Sequence, residues 1–174
     1  MTYKGAGRVE ARVPFSMMDV RPFRPELADV WDRFVAVSRN GTLFHTRRFL
    51  SYHPPERFDD ASRMVYDGDR LVAVLPAAVR VEHGRRMLVS HPGATLGGLA
   101  LSPKLGAAGC CDVVAALLVF AREAGYGALS LLRLPPLPLC TLPSDDQIYA
   151  LVQHGFHLSR CEIGSMLLLG RCTE

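Results

Sequence analysis

Histidine is the side chain of this sequence best suited to proton transfer near neutral pH, and one histidine stands at an unusual place. His91 lies in the run Leu88-Val-Ser-His-Pro-Gly-Ala-Thr-Leu-Gly-Gly-Leu-Ala-Leu-Ser102, directly before Pro92 and Gly93. An unperturbed imidazole has a pKa of about 6.5, which suits general-base work at pH 7. A turn histidine also commonly bonds a neighbouring carbonyl, so a structural role for His91 stays open.

Two further histidines and two tyrosines carry chemistry that a transfer reaction could use. His45 and His53 flank a short predicted helix and could contact a substrate, although solvated or capping roles are the simpler interpretation. The phenols of Tyr52 and Tyr149 could protonate a leaving group, yet amphipathic packing explains both equally well. Glu162, near the end of the chain, is typical of a hairpin residue rather than of a general base.

The five cysteines favour neither a disulfide framework nor a metal site. Their number is odd and they form no C-x-x-C pair, so we expect no bound metal. Cys110 and Cys111 are predicted near a helix N-terminus, where a thiol pKa can fall, but a role as small apolar filler fits them better.

The run from Leu88 to Ser102 predicts a strand that breaks and resumes. Proline cannot donate to a sheet ladder, and glycine inside a strand marks a bulge or a close approach of ligand or backbone. We therefore expect unpaired main-chain groups after Gly97 and Gly98, which a bound ligand could satisfy.

Hydrophobic spacing and turn residues predict the elements that position these side chains. Residues 1–17 are expected to be a loosely held lead-in with a possible edge strand at Val9, Ala11 and Val13, and residues 18–174 to be one domain. The predicted order is a strand at 18–23, helices at 25–41 and 46–52, antiparallel strands at 62–66, 71–81 and 87–90, the interrupted strand, a helix opened by residues 106–109, a buried parallel strand at 128–134, a helix from Ser144 to Gly155, and closing strands at 156–161 and 165–169.

Composition restricts the class of protein. The chain has 174 residues, of which 49% are apolar and 21% charged, as in ordinary soluble domains. The net charge of +3 comes from dispersed arginines, so we expect no nucleic-acid partner. Neither a leader-like segment nor an apolar run of membrane-spanning length is present, which predicts no membrane span and a cytoplasmic protein.

Four stretches resemble the FemAB-related branch of the GNAT acyltransferases. They are Asn40-Gly-Thr-Leu-Phe-His-Thr-Arg-Arg-Phe-Leu-Ser-Tyr-His53, Asp67-Gly-Asp-Arg-Leu-Val-Ala-Val-Leu-Pro76, Ser90-His-Pro-Gly-Ala-Thr-Leu-Gly-Gly98 and Pro143-Ser-Asp-Asp-Gln-Ile-Tyr-Ala-Leu151. The resemblance covers about residues 18–170. It implies an α/β (α+β) GNAT-like fold, with a central mixed, mostly antiparallel sheet and helices on both faces.

The resemblance also implies an activity and a distribution of roles. The activity is transfer of an acyl group, usually acetyl from acetyl-CoA, to a small amine such as an amino sugar or an amino acid by direct attack. The implied roles are a base at His91, an acid at Tyr149, acceptor contacts at His45, Tyr52 and His53, pantetheine binding by the main chain of Gly98, Leu99, Ala100 and Leu101, and pyrophosphate binding by Lys104, Gly106, Ala107, Ala108 and Gly109.

A second hypothesis belongs to a different class. FemAB-related proteins commonly contain two tandem GNAT-like halves, and this chain resembles the first half. The family's pyrophosphate loop starts with Arg or Gln where this sequence has Pro103. The alternative is therefore a cofactor-free GNAT-like module that pairs with a second domain or with another copy as a homodimer.

Overall fold

The computed structural model describes residues 2–5, 18–132 and 145–161, with side chains described in the last two ranges. Four α-helices and ten strands lie within them. The helices are α1 (Ala28–Val37), α2 (Arg47–Leu50), α3 (Ala107–Glu123) and α4 (Asp145–Gln153), and short 3-10 turns cover Pro25–Leu27, Leu43–His45 and Pro55–Arg57. The strands are β1 (Thr2–Gly5), β2 (Asp19–Pro22), β3 (Asp59–Asp60), β4 (Arg63–Asp67), β5 (Arg70–Leu75), β6 (Ala77–Glu82), β7 (Arg85–Ser90), β8 (Ala100–Leu101), β9 (Ala128–Leu132) and β10 (His157–Arg160).

The strands form two hydrogen-bonded sheets, with orders β10-β1-β9-β7-β6-β3 and β2-β4-β5-β8. The chain passes from one sheet into the other between β5 and β6, where only Pro76 separates the two strands. Because proline has no N–H group, it interrupts the ladder at this position. The sequence predicted a single strand over residues 71–81, and the break at Pro76 corrects that prediction.

All described strand pairs are antiparallel except that of β7 and β9, in which Leu88 faces Leu129. The helix α3 connects these two parallel strands. This is the crossover predicted from the apolar run at 128–134, and it makes the molecule a mixed α+β domain.

Apolar side chains pack on both faces of the strands. On one face, Leu117 of α3 and Leu151 of α4 belong to the larger cluster, together with Leu88 and Leu129. On the other face, Trp31 of α1 packs with Met64, Val74 and Ala100 in a smaller cluster. Successive residues of a strand point to opposite faces, which explains why Ala73 and Val74 belong to different clusters.

The N-terminal residues differ most from the prediction. Thr2–Gly5, inside the segment expected to be a lead-in, form β1, which pairs antiparallel with both β9 and β10. Consequently β10 is not a direct neighbour of β9.

Several predictions concern residues outside the described ranges. They are the edge strand at Val9, Ala11 and Val13, the helix start at Ser144, the hairpin role of Glu162 and the closing strand at 165–169.

Candidate functional site

The sheet splits beside β8. The parallel register of β7 and β9 ends at Val89 and Ser130. After Ser90 the chain leaves the sheet, and it returns as β8 against β5, with Val74 facing Ala100. The helix α3 begins shortly after β8. The predicted interruption is therefore present, and β8 pairs with β5 in the smaller sheet rather than with β7 or β9.

The outer edge of β8 is already paired by the segment that follows α1. The Leu101 N–H donates to Asn40 Oδ1 (2.8 Å), and Asn40 Nδ2 donates to the Leu99 carbonyl (2.7 Å). The Arg39 N–H donates to the Leu101 carbonyl (3.0 Å). The expectation that the interrupted strand leaves unpaired main-chain groups is thus wrong at Leu99 and Leu101.

Asn40 takes the place of a neighbouring strand. Its side-chain amide offers one donor and one acceptor to the same edge, as a peptide group does. Asn40 is 4% exposed, so both bonds are shielded from water. Gly41 allows the chain to turn here, because a Cβ at that position would lie 2.2 Å from the Val35 carbonyl oxygen.

Arg39 extends from the same segment into the space between α3 and α4. Its guanidinium donates to Asp146 Oδ2 at the start of α4 (2.9 Å) and to Cys110 Sγ in the first turn of α3 (3.0 Å). Arg39 is 5% exposed. Burial raises the pKa of Cys110 to about 11, against the lowering effect of Arg39, so the thiol is protonated at pH 7. A reactive Cys110 is therefore not favoured.

The residues predicted to bind pyrophosphate lie at the surface where α3 begins. Lys104, Gly106, Ala107 and Ala108 are exposed, and Gly109 is partly covered by Leu105. Gly106 caps the helix without a side-chain hydrogen bond, and the first turn carries no acidic residue. First-turn amides of a helix have no partner within the helix and favour an anion.

Gly93 holds two of the predicted site histidines together. Its N–H donates to His91 Nδ1 (3.2 Å), and its carbonyl oxygen lies 2.9 Å from His53 Nε2. The two imidazole planes differ by 13°, with ring centroids 6.2 Å apart. Phe58 packs edge-on against both rings. The structure thus brings His53 and His91 into one cluster, which their separation in sequence did not predict.

The hydrogen bond from Gly93 decides which nitrogen of His91 carries the proton. Burial lowers the pKa of His91, with Asp60 opposing and Arg47 and His53 adding to the effect, so the ring is neutral at pH 7. A neutral imidazole has one acceptor nitrogen, and here Nδ1 fills that role. His91 Nε2 therefore carries the proton and can donate, whereas base chemistry at Nδ1 requires release of the Gly93 N–H.

His45 has the capping role that was the alternative to substrate binding. Its Nδ1 accepts from the Thr42 N–H (3.2 Å), and its carbonyl accepts from Trp31 Nε1 (2.7 Å). The residue is 0% exposed, and burial lowers its pKa from 6.5 to about 4. A neutral, enclosed histidine of this kind positions the Leu43–His45 turn rather than contacting solutes.

The two candidate tyrosines lie on different elements at the surface. Tyr52 is 81% exposed, directly after α2, and packs edge-on against His53. Tyr149 is 53% exposed on α4, which packs against α3. Tyr52 therefore joins the histidine cluster, and Tyr149 lies on the helix whose first turn contacts Arg39.

An ion pair next to His91 has no counterpart among the sequence predictions. Arg47 donates to Asp60 and also to Ser62 Oγ (2.9 Å). The Ser62 N–H also donates to Asp60 Oδ1 (2.9 Å). Burial raises the pKa of Asp60, but the hydrogen bonds that it accepts from Ser62 and Arg47 outweigh this effect and lower the pKa. The Arg47 guanidinium also stacks on the Phe23 ring, 3.8 Å from its centroid. Arg47 lies in the quoted stretch from Asn40 to His53, but no motif marks Asp60 or Ser62, because the three residues meet only where β3, β4 and α2 converge.

Neither a metal site nor a membrane helix is found in the described residues. Within 18–132 and 145–161, no three His, Cys, Asp or Glu side chains are grouped as metal ligands. No helix in the described part of the chain has the length and hydrophobicity to cross a bilayer.

Comparison with known proteins identifies the fold but no family. No family model and no curated protein matches the chain. Crystal structures of the protein TTHA1254 from Thermus thermophilus are similar, in the wild-type form (TM-score 0.50) and in a point-mutant form (TM-score 0.51). Each is 17% identical and covers 88% of this chain and 99% of the Thermus chain. At this identity the likeness establishes a shared α+β fold and nothing about activity.

Proposed function

We propose that this chain is a FemAB-related GNAT domain that transfers an acyl group from acyl-CoA, most simply acetyl-CoA, to a small amine. The observation that carries the proposal is the split between the two sheets beside β8, where Arg39 bonds both the β8 edge and Cys110 in the first turn of α3. In GNAT proteins this is where the acyl carrier binds. The motif from Asn40 to His53 contributes Asn40 to the β8 edge, and its His53 contacts Gly93 in the motif from Ser90 to Gly98.

The chemical groups at the split suit an extended carrier arm that contains amides. The main chain of Leu99 and Leu101 offers two acceptors and one donor at the outer edge of β8, the groups that Asn40 and Arg39 now occupy. The first-turn amides of α3 and the exposed Lys104 suit the pyrophosphate. The thioester would supply the activated acyl group.

The histidine cluster supports the acceptor side of the proposal. A substrate ammonium must lose a proton before attack, and the departing thiolate must gain one. His91 is 5% exposed, and where a substrate reaches the ring, its Nε2–H is a donor suited to polarising an acyl oxygen or to protonating a thiolate. For His91 to act as the predicted base, its Nδ1 must first give up the hydrogen bond from the Gly93 N–H and then accept a proton from the substrate amine. Amino sugars and amino acids are the acceptor classes we propose.

Calorimetric titration with acetyl-CoA tests the proposal. We expect saturable binding, and we expect Lys104→Ala to weaken it about two- to fivefold, the effect of one exposed charge. Arg85→Ala, at an exposed position of the β6–β7 hairpin, is the matched control and is expected to leave the affinity unchanged. An amine panel analysed by mass spectrometry would then identify the acceptor.

The result that would overturn the proposal is equally direct. If neither the folded wild-type chain nor Asn40→Ala, which removes the side chain from the β8 edge, binds acetyl-CoA at millimolar concentration, the chain is no acyl-CoA enzyme. Circular dichroism of both proteins establishes that they are folded.

One observation favours the second candidate, a cofactor-free GNAT-like module that pairs with another domain or copy. The Arg39–Asn40 pair fills the edge where a carrier arm would bind. In that case, removing Asn40 creates no affinity for acetyl-CoA, which separates the two candidates.

A further inference from the structure

The segment after α1 makes hydrogen bonds that a bound carrier arm would have to replace. Asn40 bonds Leu99 and Leu101, and the Arg39 N–H bonds the remaining outward carbonyl of Leu101. Three main-chain groups of the β8 edge are thus satisfied by two consecutive residues. Both residues are at least nine-tenths buried.

The Arg39 side chain fixes this segment at a second point. It contacts Asp146 on α4 and Cys110 on α3, so the segment is tied to the edge strand and to the two helices around the split. The Arg39–Asp146 pair is only half-shielded, because the Asp146 side chain is 38% exposed. Arg39 itself is 5% exposed, so the pair opens without leaving a buried, unpaired charge only if the guanidinium moves out to water together with the segment.

We infer that the Arg39–Asn40 pair is an autoinhibitory latch, which holds the Leu99–Leu101 edge closed and must leave it before an acyl carrier can bind. The inference rests on the acyltransferase proposal. Asn40 serves this purpose because its amide presents the same donor and acceptor as a secondary amide of the carrier. When such a ligand displaces Asn40, each hydrogen bond to the β8 edge is therefore replaced by one of the same kind.

The latch makes apparent affinity depend on how often the edge is open. When only a fraction of molecules is open, the observed Kd is the intrinsic Kd divided by that fraction. Variants that weaken the latch must therefore bind acetyl-CoA more tightly, although each of them loses native contacts. Loss of contacts ordinarily weakens binding or leaves it unchanged, so the direction of the effect is diagnostic.

The experiment compares acetyl-CoA affinity in three variants by calorimetry. Asn40→Ala removes both side-chain bonds to the edge and is expected to bind at least about tenfold more tightly than the wild type. Asp146→Asn weakens the anchor of Arg39 without altering the edge and is expected to give a smaller gain. Glu123→Gln changes one exposed carboxylate at the far end of α3 and serves as the control, with unchanged affinity.

Amide hydrogen exchange at Leu101 shows whether the ligand replaces Asn40. In the wild type this N–H is bonded to Asn40 and is expected to exchange slowly. In Asn40→Ala it is expected to exchange faster and to become protected again when acetyl-CoA is added. Asp146→Asn keeps the test informative if Asn40→Ala fails to fold.

Each outcome has one meaning. Equal affinity of wild type and folded variants would overturn the latch and leave the acyltransferase proposal standing. Tighter binding without protection of the Leu101 amide would place the ligand elsewhere and would also overturn the latch. No binding by any folded variant would overturn the acyltransferase proposal itself.

Discussion

Three histidines of this protein use the same ring atom as an acceptor. Nδ1 of His45 faces the Thr42 N–H, Nδ1 of His91 faces the Gly93 N–H, and Nδ1 of His53 lies 3.4 Å from the Arg57 guanidinium. In each contact the donor faces Nδ1, which leaves Nε2 as the nitrogen that carries a proton. Sequence analysis identifies histidines as candidates for proton transfer, but the neighbouring donors decide which atom is free to react.

The enclosed position of His45 predicts a stability that depends on pH. Its pKa of about 4 in the folded chain lies below the ordinary 6.5, so between these values the unfolded chain binds more protons. The stability it contributes is complete above pH 6.5 and is lost as the pH falls towards 4. At about 1.4 kcal/mol per pKa unit, the loss amounts to about 3 kcal/mol.

Urea unfolding at pH 7 and pH 4 measures this effect. His45→Asn keeps an acceptor near the position of Nδ1 but cannot take up a proton, so the variant is expected to lose about 3 kcal/mol less than the wild type over this range. Parallel pH profiles of the two proteins would contradict the assignment.

At the scale of elements, the loop between β7 and β8 is held by one glycine. Gly93 binds His53 and His91 through its carbonyl and its N–H, and a Cβ added there would lie 2.3 Å from His53 Nε2 and 2.7 Å from Phe58. The glycines of this loop predicted a break in the strand. The individual glycines have different roles, and only the tertiary packing shows which of them lies too close to its neighbours for a larger residue.

We expect Gly93→Ala to destabilise the fold by about 1–3 kcal/mol, because the new methyl group displaces His53 or the loop backbone. Gly97→Ala is the matched control, since a Cβ there meets only Ser90 Cβ at an ordinary 3.7 Å. Urea unfolding of both variants gives the comparison. Equal destabilisation by the two substitutions would show that the close approach at Gly93 is unimportant.

At the scale of the whole molecule, the N-terminal strand β1 joins β10 to the rest of the larger sheet. β1 lies between β9 and β10 and pairs with both, with Tyr3 facing Leu131 on one side and Leu158 on the other. The two ends of the described chain therefore depend on each other for their hydrogen bonds.

Removing residues 1–5 is accordingly expected to destabilise the protein by several kcal/mol or to prevent folding, since two strand ladders lose their partner. Urea unfolding of the shortened chain measures the change. Tyr3→Pro, which removes a single N–H from β1, is a milder variant with a smaller expected loss. An unchanged unfolding midpoint in the shortened chain would contradict the placement of β1.

The sequence by itself determined the order and type of most elements, because hydrophobic spacing and turn residues act locally. The helix with Trp31 and Phe34, the two hairpins, the helix with Leu117 and the parallel strand after it follow from such local signals. The tertiary structure alone decided the break at Pro76, the insertion of β1 and the pairing of Asn40 with Leu99 and Leu101. These features depend on residues that are far apart in the chain. Asn40 and Gly41 predict the end of a helix, but nothing in their local sequence indicates that Asn40 will bond a strand edge about 60 residues later.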